Sequence, residues 1–145
     1  MILYLDTSAL VKLYVEESGS GTVAAAVEEA AAVATARITY AEARAALARH
    51  TRAGGLTREE HRRVIRQLDE EWGQYTLVEI TDALVRRAGT LAERHGLRAY
   101  DGVQLAAALD LRLPGTDVAF ASFDDRLNRA ARRERLRPLP GGSRR

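Results

Sequence analysis

Short apolar runs alternate with helix-periodic segments along the whole chain. The first run covers residues 2–6 and ends in Asp6, as is typical of a strand that is buried on both faces. Further strands are predicted at 33–35, 76–80 and 117–122, with an edge strand at 136–139, where Pro138 excludes a central position. Strands that are separated by helices form right-handed βαβ units. The pattern therefore predicts an α/β fold, a helix–sheet–helix sandwich around a central, mainly parallel sheet.

The segments between these strands have helical periodicity. Helices are predicted over 8–16, 22–31, 39–52, 57 to about 72 or 74, 81–95 before a capping glycine at 96, 100–112 and 125–135, with a break at 18–21. The pair between Thr39 and Gln74 is longer than a crossover needs and predicts a helical hairpin that projects beside the sheet. We expect one domain over residues 1–137 and a tail over 138–145, with the last five residues frayed.

Composition narrows the class of protein. A chain of 145 residues that is 46% hydrophobic can bury a core. The absence of cysteine excludes a disulfide framework and thiolate zinc sites, and it agrees with a cytoplasmic location. No signal-peptide pattern or membrane-spanning apolar run is present, so no membrane partner is expected. The net charge of +2 gives no global field that requires a nucleic acid, although arginines are concentrated in residues 126–145.

Four carboxylates lie where predicted strands lead into helices or where helices begin: Asp6, Glu42, Asp101 and Asp124. In a parallel sheet these junctions face one edge, so the four could converge there. Each also has a local explanation. Thr39 and Glu42 have the spacing of a capping box, Asp6 could cap the helix that follows it, and Asp101 and Asp124 could be caps or first-turn acids.

Convergence of these acids would have a chemical consequence. Two unit charges about 4 Å apart repel by about 4 kcal/mol at an effective dielectric constant of 20, so a shared pocket requires a cation or partial protonation. Carboxylate oxygens suit Mg²⁺ or Mn²⁺ better than zinc. His50, His61 and His95 lack the spacing of a metal motif and are interpreted as structural.

This set of motifs, in this order, resembles the PIN domain, and most closely the VapC toxins of bacterial and archaeal toxin–antitoxin pairs. The matching segments are residues 2–12 (ILYLDTSALVK), 39–42 (TYAE), 100–106 (YDGVQLA) and 121–127 (ASFDDRL), and the resemblance extends over about residues 1–137. The acidic positions of the family correspond to Asp6, Glu42, Asp101 and Asp124, and its hydroxyl before the last acid corresponds to Ser122. Gly102 replaces an alanine that is common in relatives, a change expected to be harmless. Asp125 replaces a residue that is often basic in relatives. It could make a water-mediated contact or merely start the helix.

The resemblance implies a Mg²⁺-dependent endoribonuclease in which Mn²⁺ can substitute, a VapB-type antitoxin that blocks the site, and a toxin homodimer. Asp6 and Asp101 are expected to ligate the metal directly. Glu42 and Asp124 would act directly, through water or on a second ion. A site with one metal ion and a site with two are both compatible with the sequence. Thr7 and Ser8 are expected to hold Asp6 or to contact phosphate.

Positive charge should flank an acidic site that accepts RNA. The candidate RNA contacts are Lys12, Arg44, Arg98, Arg126 and Arg129, each of which could instead be a solvated arginine or lysine on a helix face. Tyr100 could stack on a base or pack into the core. Apolar Leu10, Val11, Leu13 and Tyr14 exceed what one core face needs, which hints at an interface.

Two other functions fit parts of the pattern. A haloacid-dehalogenase-like phosphatase also begins with a strand that ends in aspartate, but it needs a second aspartate where Ser8 stands and a downstream lysine, and Lys12 is the only lysine. The other alternative is a PIN-like module that binds nucleic acid without turnover. The presence of all four acids argues against it. A Rossmann nucleotide site is disfavoured because no G-x-G-x-x-G follows the first strand.

Overall fold

A parallel sheet of five strands forms the centre of the molecule, described in a computed structural model over residues 1–139. The strands are β1 (Ile2–Leu5), β2 (Ala32–Ala36), β3 (Thr76–Val78), β4 (Val118–Ala121) and β5 (Arg137–Pro138). Their order across the sheet is β3-β2-β1-β4-β5, and every neighbouring pair is parallel. The predicted parallel α/β architecture is confirmed, with the strand that ends before Asp6 at the centre of the sheet.

Seven helices connect the strands: α1 (Thr7–Val11), α2 (Ser20–Glu29), α3 (Thr39–Arg52), α4 (Arg58–Trp72), α5 (Asp82–His95), α6 (Ala99–Asp110) and α7 (Asp125–Arg133). Most bounds fall within two residues of the prediction. The first helix is shorter than predicted because the amides of residues 12–14 bond three residues back, which tightens the chain into turns. The second helix begins earlier than predicted, because Gly19 at φ +93° precedes it and Ser20 and Gly21 are already helical.

Alternate side chains of the strands enter two separate cores. Tyr4 and Phe120 pack with α5, α6 and α7 on one face, where their rings stack at a centroid distance of 5.7 Å. Leu3 and Leu5 pack with α1 to α4 on the other face. The sheet is thus covered on both sides, as the continuous apolar composition of its central strands predicts.

Helices α3 and α4 form the predicted hairpin, and its inner side packs onto the second core. Leu47 and Leu68 are fully buried there together with Leu10 of α1. Val11 and Tyr14 are buried in the same core, and Leu13 is half-buried. The run does exceed what one core face needs, as predicted, and the α3–α4 pair gives it a second surface to pack against within the chain. The interface at which it hinted stays a prediction.

The end of the described chain adds the edge strand that was predicted around Pro138. Pro138 lies in β5 and pairs with Phe120 at the edge of the sheet, so the predicted start of the tail at residue 138 falls within a strand. The predicted fraying of the last five residues lies outside residues 1–139. Among the helices of residues 1–139, none has the length and apolarity needed to span a bilayer.

Candidate active site

The four predicted acids lie at one edge of the sheet. Asp6 directly follows β1 and Asp124 follows β4, while Glu42 and Asp101 lie in the first turns of α3 and α6. The pKa of Asp101 is raised by burial and by the neighbouring carboxylates Asp124 and Glu42, against the opposing effect of two arginines. Asp101 in turn raises the pKa of Asp6. The structure therefore brings the four carboxylates into one electrostatic neighbourhood.

Asp6 is the most deeply buried of these acids, with 4% of its surface exposed. Burial raises its pKa to about 6, although hydrogen bonding from Ser122, Ser8 and the Ala9 amide favours the ionised form. Its Oδ1 accepts from Ser8 Oγ at 2.7 Å and from Ala9 N at 2.9 Å. The bond from Ala9 makes Asp6 the N-cap of α1, as one local explanation proposed. An ordinary cap is exposed to water, and the burial of this one leaves a costly negative charge that capping does not require.

Glu42 is oriented by a hydrogen-bond network from three other elements. Its Oε1 accepts from Thr7 Oγ1 at 2.9 Å and from Gln104 Nε2 at 2.7 Å. Gln104 is 3% exposed, and its Oε1 accepts from Tyr4 OH at 2.5 Å while its Nε2 also donates to Thr39 Oγ1 at 3.0 Å. A buried amide thus links β1, α3 and α6 and holds the carboxylate in place. Sequence reasoning assigned no role to Gln104, although it is the one polar residue in the run from Val103 to Leu109.

The capping-box explanation of Glu42 is excluded by these contacts. Helix α3 has Ile38 at its N-cap and no side-chain cap, and the Thr39 hydroxyl is bonded to Gln104 instead. By contrast, Thr57 and Glu60 exchange both bonds of a capping box, at 2.9 and 3.0 Å. The same four-residue pattern therefore has different roles in α3 and α4.

The predicted supporting hydroxyls all contact the acidic edge. Ser8 donates to Asp6 and accepts from Phe123 N at 2.9 Å, so it ties the β1–α1 junction to the β4–α7 loop. Ser122 Oγ accepts from Asp124 N at 3.1 Å. Thr7 contacts Glu42, whereas Asp6 was one of its predicted partners. Asp124 Oδ1 accepts from Leu127 N at 3.0 Å and caps α7.

The donor chemistry of this edge fits a hydrated divalent cation. All four groups are carboxylates, and the raised pKa values of Asp6 and Asp101 show that their charges are incompletely compensated. Within residues 1–139, no three acidic or histidine side chains are gathered closely enough to ligate one ion directly. Mg²⁺ is usually held by one or two carboxylates and keeps several waters, so this spacing suits two direct ligands with the other acids acting through water.

The predicted basic residues divide into two groups. Arg98 and Arg126 lie close enough to Asp101 to lower its pKa, so they flank the acidic edge. Lys12 is paired with Glu17 at 3.0 Å and lies 4.4 Å from the Phe123 ring centroid, so its charge is already engaged. Arg44 bonds Tyr40 OH at 2.8 Å on the exposed side of α3.

Other residues singled out from the sequence have clear positions. Arg129 lines a groove beside His95. Tyr100 is 63% exposed beside Asp101, which excludes the core-packing alternative for its ring. Asp125 is exposed in the first turn of α7. His61 contacts Thr51, and His50 lies near Glu17, in agreement with structural roles for both.

Comparison with known proteins agrees with this arrangement. A model of the PIN domain matches residues 3–133. The chain is 37% identical over 139 residues to Ribonuclease VapC45 of Mycobacterium tuberculosis (strain CDC 1551 / Oshkosh), covering 96% of this chain and 95% of that protein. Its fold is similar to that of PAE2754 from Pyrobaculum aerophilum, with a TM-score of 0.65, 19% identity and coverage of 96% and 92% of the two chains. A toxin–antitoxin complex from Klebsiella pneumoniae has a TM-score of 0.61 at 18% identity, with coverage of 85% and 88%. The chain therefore belongs to the PIN-domain family.

Proposed function

We propose that the protein is a metal-dependent endoribonuclease and the toxin of a VapBC-type toxin–antitoxin pair. The observation that carries the proposal is the buried carboxyl of Asp6, which lies among three further acids at the carboxyl edge of the sheet. Burying an acid without a cationic partner costs stability, and a divalent ion would compensate that charge. The 37% identity to a relative named ribonuclease supports the same reaction.

In this proposal, Asp6 and Asp101 hold Mg²⁺ or Mn²⁺ directly, and Glu42 and Asp124 act through water or on a second ion. A metal bound there lowers the pKa of a coordinated water and offsets charge on a phosphodiester. The other residues position the acids: Gln104 and Thr7 fix Glu42, while Ser8 fixes Asp6. Arg98 and Arg126 supply positive charge where an RNA backbone would approach.

The partner proposal follows from the same charges. An acidic edge with exposed Asp124 would attract a basic side chain of an antitoxin, and the related Klebsiella structure is a toxin–antitoxin complex. Charge reversal of the antitoxin residue that enters this edge should release cleavage, and unchanged inhibition would contradict the model. The homodimer is also a proposal, and light scattering of the purified toxin that shows only monomer would reject it.

The decisive experiment uses purified, antitoxin-free protein and an RNA substrate. We expect cleavage in Mg²⁺ that EDTA abolishes and that Asp6→Asn and Asp101→Asn reduce by at least about 100-fold, since each loses a metal ligand. Asp82→Asn is the matched control, because Asp82 is also a first-turn acid but lies exposed on α5. Undiminished cleavage in excess EDTA, or by both active-site variants, would reject the proposal.

The same preparation separates the alternatives. Metal and RNA binding without cleavage would indicate a binding module. Turnover of a small phosphate ester would indicate the phosphatase, but the structure does not favour it, because Ser8 occupies the place of the second aspartate and bonds both Asp6 and Phe123. Lys12, the only lysine, is paired with Glu17.

A further inference from the structure

A basic groove runs along α7 beside the acidic edge. Arg126, Arg129 and Arg133 line one wall, with Ala130 between them, and His95 and Gly96 at the end of α5 form the other. The groove has a volume of about 310 Å³. Because these arginines are three and four residues apart on a helix, their side chains share one face. A single helical face thus presents three guanidinium groups to one concave surface.

These three guanidinium groups have no acidic partner among residues 1–139. Arg126 instead donates a hydrogen bond to the backbone carbonyl oxygen of Gly96, at 3.4 Å. Two arginines of α5 do have acidic partners: Arg94 pairs with Glu134 at 2.5 Å and Arg87 pairs with Asp110 at 2.8 Å. The guanidinium groups of the groove therefore have N–H donors available, in the planar arrangement that suits phosphate oxygens.

His95 forms a buried part of the groove wall. Its side chain is 4% exposed, yet neither ring nitrogen has a hydrogen-bond partner within residues 1–139. The nearest acid is Glu134, whose Oε2 lies 3.7 Å from His95 Nε2, beyond hydrogen-bond distance, and which is already paired with Arg94. Both ring nitrogens are shielded from solvent, so the imidazole closes the groove on this side and leaves the three arginines as its donors.

The groove opens beside the proposed catalytic acids. Arg126 is two residues from Asp124 and acts on the pKa of Asp101. From Arg126 to Arg133 the helix advances about 10 Å, at about 1.5 Å per residue. That length exceeds the axial rise of one stacked nucleotide, about 3.4 Å, and accommodates at least one phosphate beyond the scissile bond. A strand whose phosphodiester lies at the acids could thus continue along α7.

We propose that the groove of His95, Arg126, Arg129 and Arg133 binds phosphates of the RNA substrate next to the scissile bond. This inference rests on the proposed function for its substrate, and it adds a binding subsite that the four carboxylates do not provide. Arg129 and Arg133 would neutralise the phosphates farther from the acids.

The first test measures RNA binding in EDTA, where cleavage does not interfere. A fluorescent single-stranded RNA of about a dozen nucleotides is titrated with the Arg129→Gln/Arg133→Gln double variant at several salt concentrations. We expect about tenfold weaker binding and a salt slope reduced by about 1.4, which is two phosphate contacts at about 0.7 each. The control Arg62→Gln/Arg63→Gln removes the same charge from the exposed side of α4 and should bind like wild type. Equal binding by the two double variants would overturn the proposal.

The second test compares substrates of different length. With wild type active, the groove variant should lose kcat/KM about tenfold on the long RNA and keep it on a dinucleotide too short to reach Arg129. Equal losses on both substrates would mean a general defect and would reject a separate subsite. If wild type cleaves no RNA in any metal, the proposed function fails, while the binding titration still decides whether the groove holds RNA.

Discussion

Gly102 determines at the residue scale how closely α5 and α6 can pack. A Cβ at this position would lie 2.7 Å from the carbonyl oxygen of Ala88, a backbone atom that cannot rotate away. The sequence interpretation of this glycine as a harmless departure from alanine is therefore not supported by the packing. The clash could not be predicted from the sequence alone, because it involves a residue fourteen positions away on another helix.

Gly102→Ala should consequently destabilise the fold by about 1–3 kcal/mol, the usual cost of forcing extra volume into a packed contact. Gly89→Ala is the control, because Gly89 lies in α5 with open space around it. That change should stabilise by about 0.5–1 kcal/mol, as alanine is the better helix former. The measurement is the urea midpoint of each variant, and equal shifts in both would contradict the close contact.

Asp6 should make the stability of the protein fall as the pH rises. Its folded pKa of about 6 lies above the value of 3.8 for an ordinary aspartate, so the folded state binds the proton more tightly. Its favourable contribution is full below about pH 4 and is lost as the pH rises through 6. At about 1.4 kcal/mol per pKa unit, the loss is about 3 kcal/mol.

Asp6→Asn removes this titration and can still accept the bond from Ala9. In EDTA, the free energy of unfolding of the variant minus that of wild type should therefore increase by about 2.5 kcal/mol between pH 4 and pH 7. Denaturant titrations of both proteins at the two pH values give this difference. A difference that stays constant with pH would show that folding does not raise the pKa of Asp6.

Gln104 joins β1, α3 and α6 through one side-chain amide, so replacing it should affect three elements at once. Gln104→Leu should cost about 1–3 kcal/mol by leaving the Tyr4 hydroxyl without its partner, and it should also lower RNA cleavage because Glu42 loses a donor. Gln67→Leu is matched to it, since Gln67 also donates to a glutamate from a helix, at 3.0 Å, but is exposed. The control should stay within about 0.5 kcal/mol of wild type. Full activity of the Gln104 variant would assign it a purely structural role.

The beginnings of α3 and α4 show what local sequence can decide at the element scale. Both helices open with a Thr-x-x-Glu pattern, and only Thr57 and Glu60 form the capping box. Thr39 is instead fully buried and bonded to Gln104, sixty-five residues away. Helix positions were predictable because the hydrophobic period is local, whereas the role of each first-turn acid depends on contacts that only the folded sheet creates.

Thr57→Ala should therefore destabilise the protein by about 0.5–2 kcal/mol through loss of a true cap. RNA cleavage per folded molecule should not change, because the cap is exposed and lies in the α3–α4 hairpin. Thermal unfolding and single-substrate kinetics measure the two effects separately. A loss of cleavage at temperatures where the variant is folded would instead connect the hairpin to catalysis.

At the scale of the whole molecule, the parallel sheet accounts for both what was predictable and what was not. Alternating strands and helices imply that the ends of β1 and β4 face the same edge, so convergence of Asp6 and Asp124 follows from topology alone. The buried Gln104 network and the groove around His95 depend on how side chains from separate helices meet. No periodicity encodes those meetings, so the sequence predicts for His95 only a structural role.

Metal binding should stabilise the whole fold, because the proposed ligands come from separate elements that only folding brings together. An ion that binds the folded state alone adds about 2.7 kcal/mol when its concentration is 100 times its Kd. For a domain of about 150 residues, that corresponds to a rise in Tm of roughly 5–10 °C. Thermal scans of wild type in EDTA and in Mg²⁺ should show this rise, and the Asp6→Asn/Asp101→Asn variant should show little of it. Since that variant also relieves the charge repulsion of the acids, it should be the more stable protein in EDTA and the less responsive one in Mg²⁺. An equal Mg²⁺ response in both proteins would locate the ion away from these carboxylates.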